Sequence, residues 1–104
     1  MQPVNFNGLD TLVHGPVRLG VLTSLQVDGA LDFTQLKQRL SVADGALGTH
    51  LMKLEEAGYV ACKKAFIDRR PKSTYRITAA GQRALRSHLD ALRRVIDAVE
   101  KSGD

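Results

Sequence analysis

The sequence predicts a single α+β domain, in which three short helices precede a β-hairpin and one long helix ends the chain. Apolar residues recur at helical spacing over much of residues 16–57 and again beyond residue 79. Two segments rich in β-branched and aromatic residues, 59–67 and 74–77, lie between these helical regions. With 104 residues, 43% apolar and 25% charged, the chain has the size and composition of one ordinary globular domain.

Two helices are predicted in the first forty residues. Pro16 suits the first position of a helix over residues 16–27, because its missing N–H is not needed there. Residues 31–33 are predicted to be a short extended piece. Thr34 is a natural N-cap for a second helix that ends near residue 40.

The second and third helices together form a helix-turn-helix pattern. The third helix is predicted over residues 44–57, and Gly58 ends it in the left-handed conformation. The leucines that would join the two helices are Leu36, Leu40, Leu47, Leu51 and Leu54. The face that they leave bare, able to enter a major groove about 12 Å wide, comprises Gly45, Ala46, Gly48, Thr49, Met52 and Lys53. An ordinary helical hairpin packed in a core explains the same residues equally well.

The positive charge that indicates a nucleic-acid partner lies in and around the segment between the two predicted strands. Residues 68–73 are predicted to be its loop, because they are polar and contain Pro71. Residues 60–76 hold six cations against Asp68 alone, namely Lys63, Lys64, Arg69, Arg70, Lys72 and Arg76. Cations at this density repel one another, whereas phosphates would neutralise them and release counterions. The pattern favours a nucleic-acid contact over a merely soluble turn.

The last helix is predicted over Ala79–Lys101, with Thr78 as its cap. Its apolar residues follow the 4-3-4-3 spacing of a coiled-coil seam and comprise Leu85, Leu89, Leu92, Ile96 and Val99. The part near Leu85 has the alternative of packing on its own domain. A helix about 34 Å long overhangs so small a core, so pairing with a second copy of the chain is predicted.

Three ordered stretches resemble the winged helix-turn-helix regulators of the MarR and ArsR type, in particular a compact subgroup described as the winged helix DNA-binding domain. They read LDFTQLK at residues 31–37, DGALGTHLMKLEEAGYV at 44–60 and RRPKSTYRIT at 69–78, followed by Gly81. The sequence departs from the pattern of such proteins at Ala46 and Gly48, where Ser or Asn is frequent, and at Met52, where a basic residue is frequent. These departures affect base reading more than DNA binding as such.

The resemblance implies a homodimeric transcriptional regulator with a recognition helix at residues 44–57 and a wing tip at 68–73. Its expected partners are double-stranded DNA and a second copy of the chain. The predicted DNA-binding set is Thr34, Asp44, Gly45, Ala46, Gly48, Thr49, Met52, Lys53, Lys63, Lys64, Arg69, Arg70, Lys72, Ser73 and Thr74. Residues 1–8 are expected to be a flexible arm, 9–78 the DNA-binding domain and 79–104 the dimerisation helix.

The remaining candidate groups favour neither catalysis nor a cofactor. No nucleophile, phosphate-binding loop or carboxylate pair stands in a plausible catalytic setting. His88 is expected to lie on the surface, His50 to be packed near the leucine stripe, and Cys62 to be a small core residue. A single cysteine and the absence of a long apolar run favour a reducing, cytoplasmic setting. Two alternatives stay open: a winged-helix protein-interaction module, and a regulator that responds to metal or thiol chemistry through His88 or Cys62.

Overall fold

Four helices and a three-stranded antiparallel sheet make up residues 9–103, the part of the chain that the computed structural model describes. The predicted arm at residues 1–8 lies outside the described residues. In chain order the elements are α1 (Pro16–Asp28), β1 (Leu31–Asp32), α2 (Phe33–Leu40), α3 (Asp44–Glu56), β2 (Val60–Ile67), β3 (Arg70–Ile77) and α4 (Ala79–Lys101). The predicted winged helix-turn-helix architecture is confirmed.

The core forms where α1, α2 and α3 meet the base of the sheet. Its buried side chains are Val13, Val21, Leu22, Leu25, Leu31, Leu36, Leu47, Leu51, Leu54, Val60, Tyr75 and Leu85. The leucine stripe predicted for α3 is therefore buried, since Leu47, Leu51 and Leu54 are all at most 1% exposed. Burying one face of α3 leaves its opposite face towards solvent.

The ends of α2 and α3 show one correction and one confirmation. The N-cap of α2 is Asp32 and not Thr34: its Oδ1 accepts from the Gln35 N–H (2.8 Å), while Gln35 Oε1 accepts from the Asp32 N–H (2.9 Å). This reciprocal pair is a capping box, which satisfies two N–H groups that the first helical turn leaves free. Phe33, expected to be extended, is accordingly the first residue of the helix. At the end of α3, Gly58 has φ +79°, as predicted.

The sheet has the order β1-β3-β2, and the hairpin of β2 and β3 is longer than predicted. The register pairs Val60 with Ile77 at its base and Ile67 with Arg70 at its far end. Residues 70–73, predicted as loop, are therefore strand. Pro71 is accommodated because β1 pairs with β3 only at Thr74 and Tyr75, so residue 71 has no strand on its other side.

The start of α4 is capped and lies close against the hairpin base. Thr78 caps the helix as predicted, since its Oγ1 accepts from the Gly81 N–H (3.0 Å). Gly81 is buried, and a Cβ there would overlap the backbone carbonyl of Tyr59 and touch Ile77. Only glycine allows this approach between α4 and the hairpin.

The described chain is elongated, with principal extents of 61 × 25 × 21 Å and a radius of gyration of 16.0 Å. A compact domain of this length has a radius of gyration of roughly 13 Å. The excess arises from two projections, the hairpin and the C-terminal half of α4. Both extend past the buried core, so both offer surface to a partner.

Candidate nucleic-acid interface

The outward face of α3 carries the residues that the sequence predicted there. Gly45, Ala46, Thr49, Met52 and Lys53 are exposed, and Met52 keeps 53% of its surface accessible. Gly48 is half-buried. The face is thus accessible along roughly two and a half helical turns, opposite the buried leucines.

The polar groups at the start of α3 are partly engaged within the chain. The Thr49 hydroxyl donates to the Gly45 carbonyl oxygen (3.0 Å), so it keeps only its acceptor capacity for another molecule. Asp44, in the first turn, forms an exposed ion pair with Lys37 (2.6 Å), which offsets its negative charge beside the proposed DNA face. Lys53 is exposed in the last turn of the helix.

The two glycines of α3 have no internal reason to be glycine. A Cβ at Gly45 or at Gly48 would meet nothing within 4 Å. Each glycine in a helix costs roughly 1 kcal/mol relative to alanine. The small side chains are therefore unexplained by packing, and a close approach from outside the chain is the remaining physical use for them.

The hairpin, here called the wing and comprising residues 60–77, ends in a turn of two residues. Because Ile67 pairs with Arg70, only Asp68 and Arg69 lie between the strands. Their φ angles are +51° and +65°, the signs that a two-residue type I′ turn requires. The wing tip expected at residues 68–73 is therefore corrected to Asp68 and Arg69. Residues other than glycine, asparagine and aspartate are unfavourable in this conformation, so the turn holds Arg69 at the tip at a cost in stability.

The register divides the cations of the wing between its two faces, because side chains of a strand alternate. The face opposite to the core side, here called the outer face, carries Lys63, Arg70, Lys72, Thr74 and Arg76. Lys64 and Ser73 lie on the core side, and Arg69 lies in the turn. Each strand cation faces an apolar or hydroxyl side chain rather than another cation, as with Lys63 opposite Thr74. Like charges directly opposite would destabilise the sheet, so this register makes the charge density tolerable.

Three members of the predicted DNA-binding set lie where the wing meets β1 and α2. Lys72 Nζ forms a half-exposed ion pair with Asp32 Oδ2 (3.4 Å), which reduces its free positive charge. Thr34 is exposed and lines, with Arg70 and Lys72, an open groove of about 470 Å³. Thr74 is half-buried, because β3 has a strand on both sides there. Thr34 is thus close to the wing.

A buried polar network, which no pattern in the sequence predicted, joins α4 to the segment before α1. His88, expected on the surface, is fully buried. The Asp10 N–H donates to His88 Nδ1 (3.2 Å), and His88 Nε2 lies 3.4 Å from His14 Nδ1. Since Nδ1 accepts, the neutral ring carries its proton on Nε2 and donates it to His14. Burial, and then the nearby His14, lower the pKa of His88.

The same network reaches the hairpin base. The Tyr59 hydroxyl donates to Asp10 Oδ2 (2.9 Å), while Asp10 Oδ1 accepts from the Leu12 N–H (2.8 Å). The hydrogen bond to Asp10, followed by burial, raises the pKa of Tyr59. A histidine whose two ring nitrogens are both engaged is not a free metal ligand. Among residues 9–103, no group of three histidine, cysteine or acidic side chains could hold a metal ion.

Cys62 and His50, the other two side chains considered in the sequence, are half-buried. Cys62 packs against the core beside Tyr75, its partner across the strands, in agreement with the expected packing role. Burial, followed by the hydrogen bond with Cys62, raises the pKa of Tyr75 to about 12. His50 lies beside the leucine stripe, and its buried Nδ1 has no hydrogen-bond partner in the described part of the chain.

The predicted seam of α4 divides into a buried and an exposed part. Leu85 is 5% exposed and belongs to the core, and Leu92 is half-buried. Leu89, Ile96 and Val99 are 47%, 49% and 60% exposed. No helix within residues 9–103 is long and apolar enough to cross a membrane.

A helix-turn-helix followed by a basic hairpin wing defines a winged-helix domain of the kind found in transcriptional regulators. Residues 17–96 match the family model of the winged helix DNA-binding domain. An uncharacterised protein of Methanocaldococcus jannaschii, MJ0432, is 36% identical over 78 residues, which are 75% of this chain and 85% of that protein. The chain therefore belongs to the winged helix DNA-binding domain family.

Solved structures agree with this membership. A transcriptional regulator homologue from Pyrococcus horikoshii superimposes with a TM-score of 0.78 and 32% identity, over 85% of this chain and 87% of that one. YusO from Bacillus subtilis has a TM-score of 0.75 and 24% identity, over 95% of this chain and 69% of that one. The predicted resemblance to transcriptional regulators with a winged helix DNA-binding domain is confirmed.

Proposed function

We propose that the protein is a sequence-specific transcriptional regulator that binds double-stranded DNA as a homodimer. In this proposal residues 9–78 bind the duplex and residues 79–104 join the two copies. α3 enters the major groove with Gly45, Ala46, Gly48, Thr49, Met52 and Lys53, and the wing contacts the sugar–phosphate backbone or the minor groove. The single observation that carries the proposal is the basic wing beside an accessible helix face.

The wing supports DNA as the partner because its positive charge exceeds the negative charge that the described residues place beside it. Its strands place Lys63, Arg70 and Arg76 on the outer face, and the strained turn presents Arg69 at the tip. The ion pair that the structure records on this ribbon joins Lys72 to Asp32. The sugar–phosphate backbone of DNA carries regularly spaced negative charges, which can neutralise the cations along the wing.

The small residues on the exposed face of α3 favour recognition of DNA through its shape and through backbone contacts. Glycine and alanine offer no side-chain hydrogen bonds to base edges, and the Thr49 hydroxyl is already a donor within the helix. Met52 and Ala46 are suited to apolar contact with a thymine methyl group. Specificity would then come in part from groove width and deformability.

Duplex binding measured against salt concentration tests the proposal directly. We expect a random-sequence duplex to bind the wild-type protein at low salt, with an affinity that falls steeply as salt rises. The double variant Arg69→Ala/Arg70→Ala should bind more weakly and have a salt slope shallower by about 0.9 for each phosphate that is no longer neutralised. Lys101→Ala, which removes one exposed cation from the far end of α4, is the control and should leave both quantities unchanged.

Failure of the duplex to bind at low salt would refute the proposal. It would favour the alternative of a protein-interaction module, for which the plain face of α3 is the supporting observation. Selection of bound sequences from a random pool tests specificity. The expected product is a pseudo-palindrome with half-sites about 34 Å apart, one helical turn.

The metal- or thiol-responsive alternative has its own test. Stoichiometric zinc binding, or a change of DNA affinity on oxidation that Cys62→Ser abolishes, would support it. The engagement of both His88 ring nitrogens and the packing of Cys62 against the core argue against such a role.

A further inference from the structure

Phe66 is the most exposed of the large apolar side chains in residues 9–103, with 79% of its surface accessible. It lies on β2 one residue before the end of the strand and two before the turn. A phenyl ring gains free energy when it leaves water, so this position does not serve the stability of the isolated wing. Substitution by a polar residue would be free of cost to the core.

The position of Phe66 explains why the ring is left in water. The core side of the wing begins with Val60 and Cys62, which pack on the body, and continues through Lys64 to Phe66. The hairpin projects past the body at this point, so the face that is covered at the base is bare at the end. The ring therefore extends the core side of the wing beyond the part that α3 covers.

Pro71 lies directly opposite Phe66 across the ribbon. Side chains so paired have Cβ atoms about 5 Å apart. The register therefore places the two rings next to each other on the same face of the ribbon. Together they form an exposed apolar pair, here called the Phe66–Pro71 pair.

Cations lie on both sides of the Phe66–Pro71 pair. Lys64 precedes it on the same face, and Arg69 lies in the turn beyond it. An apolar pair between two cations fits a groove whose floor and walls are base edges and deoxyribose rings and whose rims are phosphates. The charge of the wing argues against an apolar protein surface as the occupant, because such a surface would leave these cations without partners.

We propose that the Phe66–Pro71 pair is an apolar contact of the wing with the DNA minor groove, where the phenyl ring packs against the groove wall and wedges a flexible base step. The minor groove is the one expected because α3 takes the major groove, and the groove next to it along the duplex is the minor groove. Apolar side chains, phenylalanine and proline among them, are used by other minor-groove proteins as wedges between base steps. This inference rests on the proposed DNA-binding function.

The pair gives the wing a way to favour sequences that it does not read by hydrogen bonds. Pyrimidine–purine steps unstack and kink more easily than other steps. A wedge at the wing would therefore favour operators with such a step where the wing lies. The plain face of α3 leaves room for a contribution of this kind to specificity.

The test compares Phe66→Ala with wild type on an AT-rich duplex across a range of salt concentrations. We expect Phe66→Ala to bind about ten- to a hundredfold more weakly, the range of apolar ring contacts with nucleic acid, with an unchanged salt slope because no charge is removed. Phe66→Leu should retain most of the affinity. Val27→Ala shortens another exposed apolar side chain, 74% accessible at the end of α1, and should bind as wild type does.

A minor-groove ligand such as netropsin locates the contact. With the minor groove blocked, the ratio of wild-type to Phe66→Ala affinity should fall to about one. A ratio that persists would place the ring elsewhere and overturn the minor-groove assignment. Equal affinity of the two proteins without the ligand would overturn the inference altogether, while a salt-dependent wild-type affinity would leave the proposed function standing. If the wild type binds no duplex at all, the proposed function fails first.

Discussion

Arg69 occupies a strained backbone position at the end of the wing. It occupies a left-handed position, φ +65°, in a two-residue turn where glycine is the usual choice. A non-glycine residue in this region costs roughly 1–2 kcal/mol. Strain held in this way concentrates at functional sites, and here it holds a guanidinium at the end of the wing.

Arg69→Gly should separate the two effects. We expect the substitution to raise the free energy of unfolding by about 1 kcal/mol, because it relieves the backbone strain. The same change should weaken duplex binding and reduce the salt slope by about 0.9, because one phosphate is no longer neutralised. Urea unfolding and duplex titration measure the two quantities. A variant that loses stability, or that binds as tightly as wild type, would contradict this account of the turn.

Substitution by alanine is expected to have opposite effects on stability at Gly45 and at Gly81. Gly45→Ala should stabilise the protein by at most about 1 kcal/mol through helix propensity, because the added Cβ meets nothing and the position lies in the first helical turn. It should weaken DNA binding by obstructing the approach of the groove. Gly81→Ala should destabilise the protein by at least ~2 kcal/mol, because the Cβ would overlap the Tyr59 carbonyl. Thermal unfolding of both variants, with duplex titration of Gly45→Ala, checks the pair. Unchanged DNA affinity in Gly45→Ala would show that nothing approaches that face closely.

His88 makes the fold sensitive to acid. Its pKa in the folded chain is lowered, chiefly by burial, below the value of about 6.5 that it has when unfolded. Between those two pKa values the unfolded chain binds a proton that the folded chain does not. The contribution of His88 is therefore fully present above about pH 6.5 and is lost as the pH falls through the lowered value. Protonation at Nδ1 would also remove the acceptor of the Asp10 N–H.

Urea unfolding from about pH 7.5 to about pH 5 measures this dependence. We expect the wild type to lose stability over that range and His88→Gln, which can still accept and donate hydrogen bonds, to lose less. Identical pH profiles for the two proteins would show that another group causes the change.

At the scale of elements, the junction of β1 and α2 is stabilised by one side chain with two roles. Asp32 caps α2 and accepts the ion pair from Lys72 of the wing. The sequence predicted Thr34 as the cap, since both residues are good caps and periodicity alone does not place the first turn. The choice is made by β1: pairing of Asp32 with Thr74 extends the backbone there, which is the conformation that an N-cap requires.

Asp32→Ala should lower the free energy of unfolding by about 1 kcal/mol, the usual cost of removing a cap. Thr34→Ala, the matched control two residues on, should change it by less than about 0.5 kcal/mol, because Thr34 is exposed and outside the cap. Thermal or urea unfolding distinguishes the two. Equal losses would return the cap to Thr34.

The wing is the element whose length depended most on tertiary pairing. Its polar residues and Pro71 predicted a six-residue loop, yet the register continues to Ile67 and Arg70. Local composition indicated a loop because exposed ribbon ends are polar and proline is rare in central strands. Proline is tolerated at residue 71 because β3 has a free edge there. A local sequence pattern does not indicate which part of a strand lies at an edge.

At the scale of the whole molecule, the projection of α4 supports the proposed dimer. Leu89, Ile96 and Val99 are about half exposed along a helix that extends past the core. A second copy related by a two-fold axis would cover the same residues on both chains, since a two-fold interface is self-complementary.

Ile96→Glu should shift the protein towards the monomer and lower its melting temperature at a fixed concentration, because dimerisation stabilises the folded chain by mass action. Ser87→Glu adds the same charge nine residues earlier, on the opposite side of the helix. This control should leave the proportion of dimer in solution unchanged. Sedimentation equilibrium measures both. A wild-type protein that is monomeric at high micromolar concentration would contradict the dimer.

The sequence by itself determined the four helices, the position of the hairpin, the leucine stripe of α3 and the concentration of positive charge. Each of these depends on spacing or composition within a short stretch of chain. The cap at Asp32, the two-residue turn, the division of cations between two faces and the burial of His88 were decided only by the tertiary structure. The physical reason is the same throughout: register, edge exposure and burial depend on residues far away in the chain, as with His88 and Asp10, which are brought together only when α4 packs on the body.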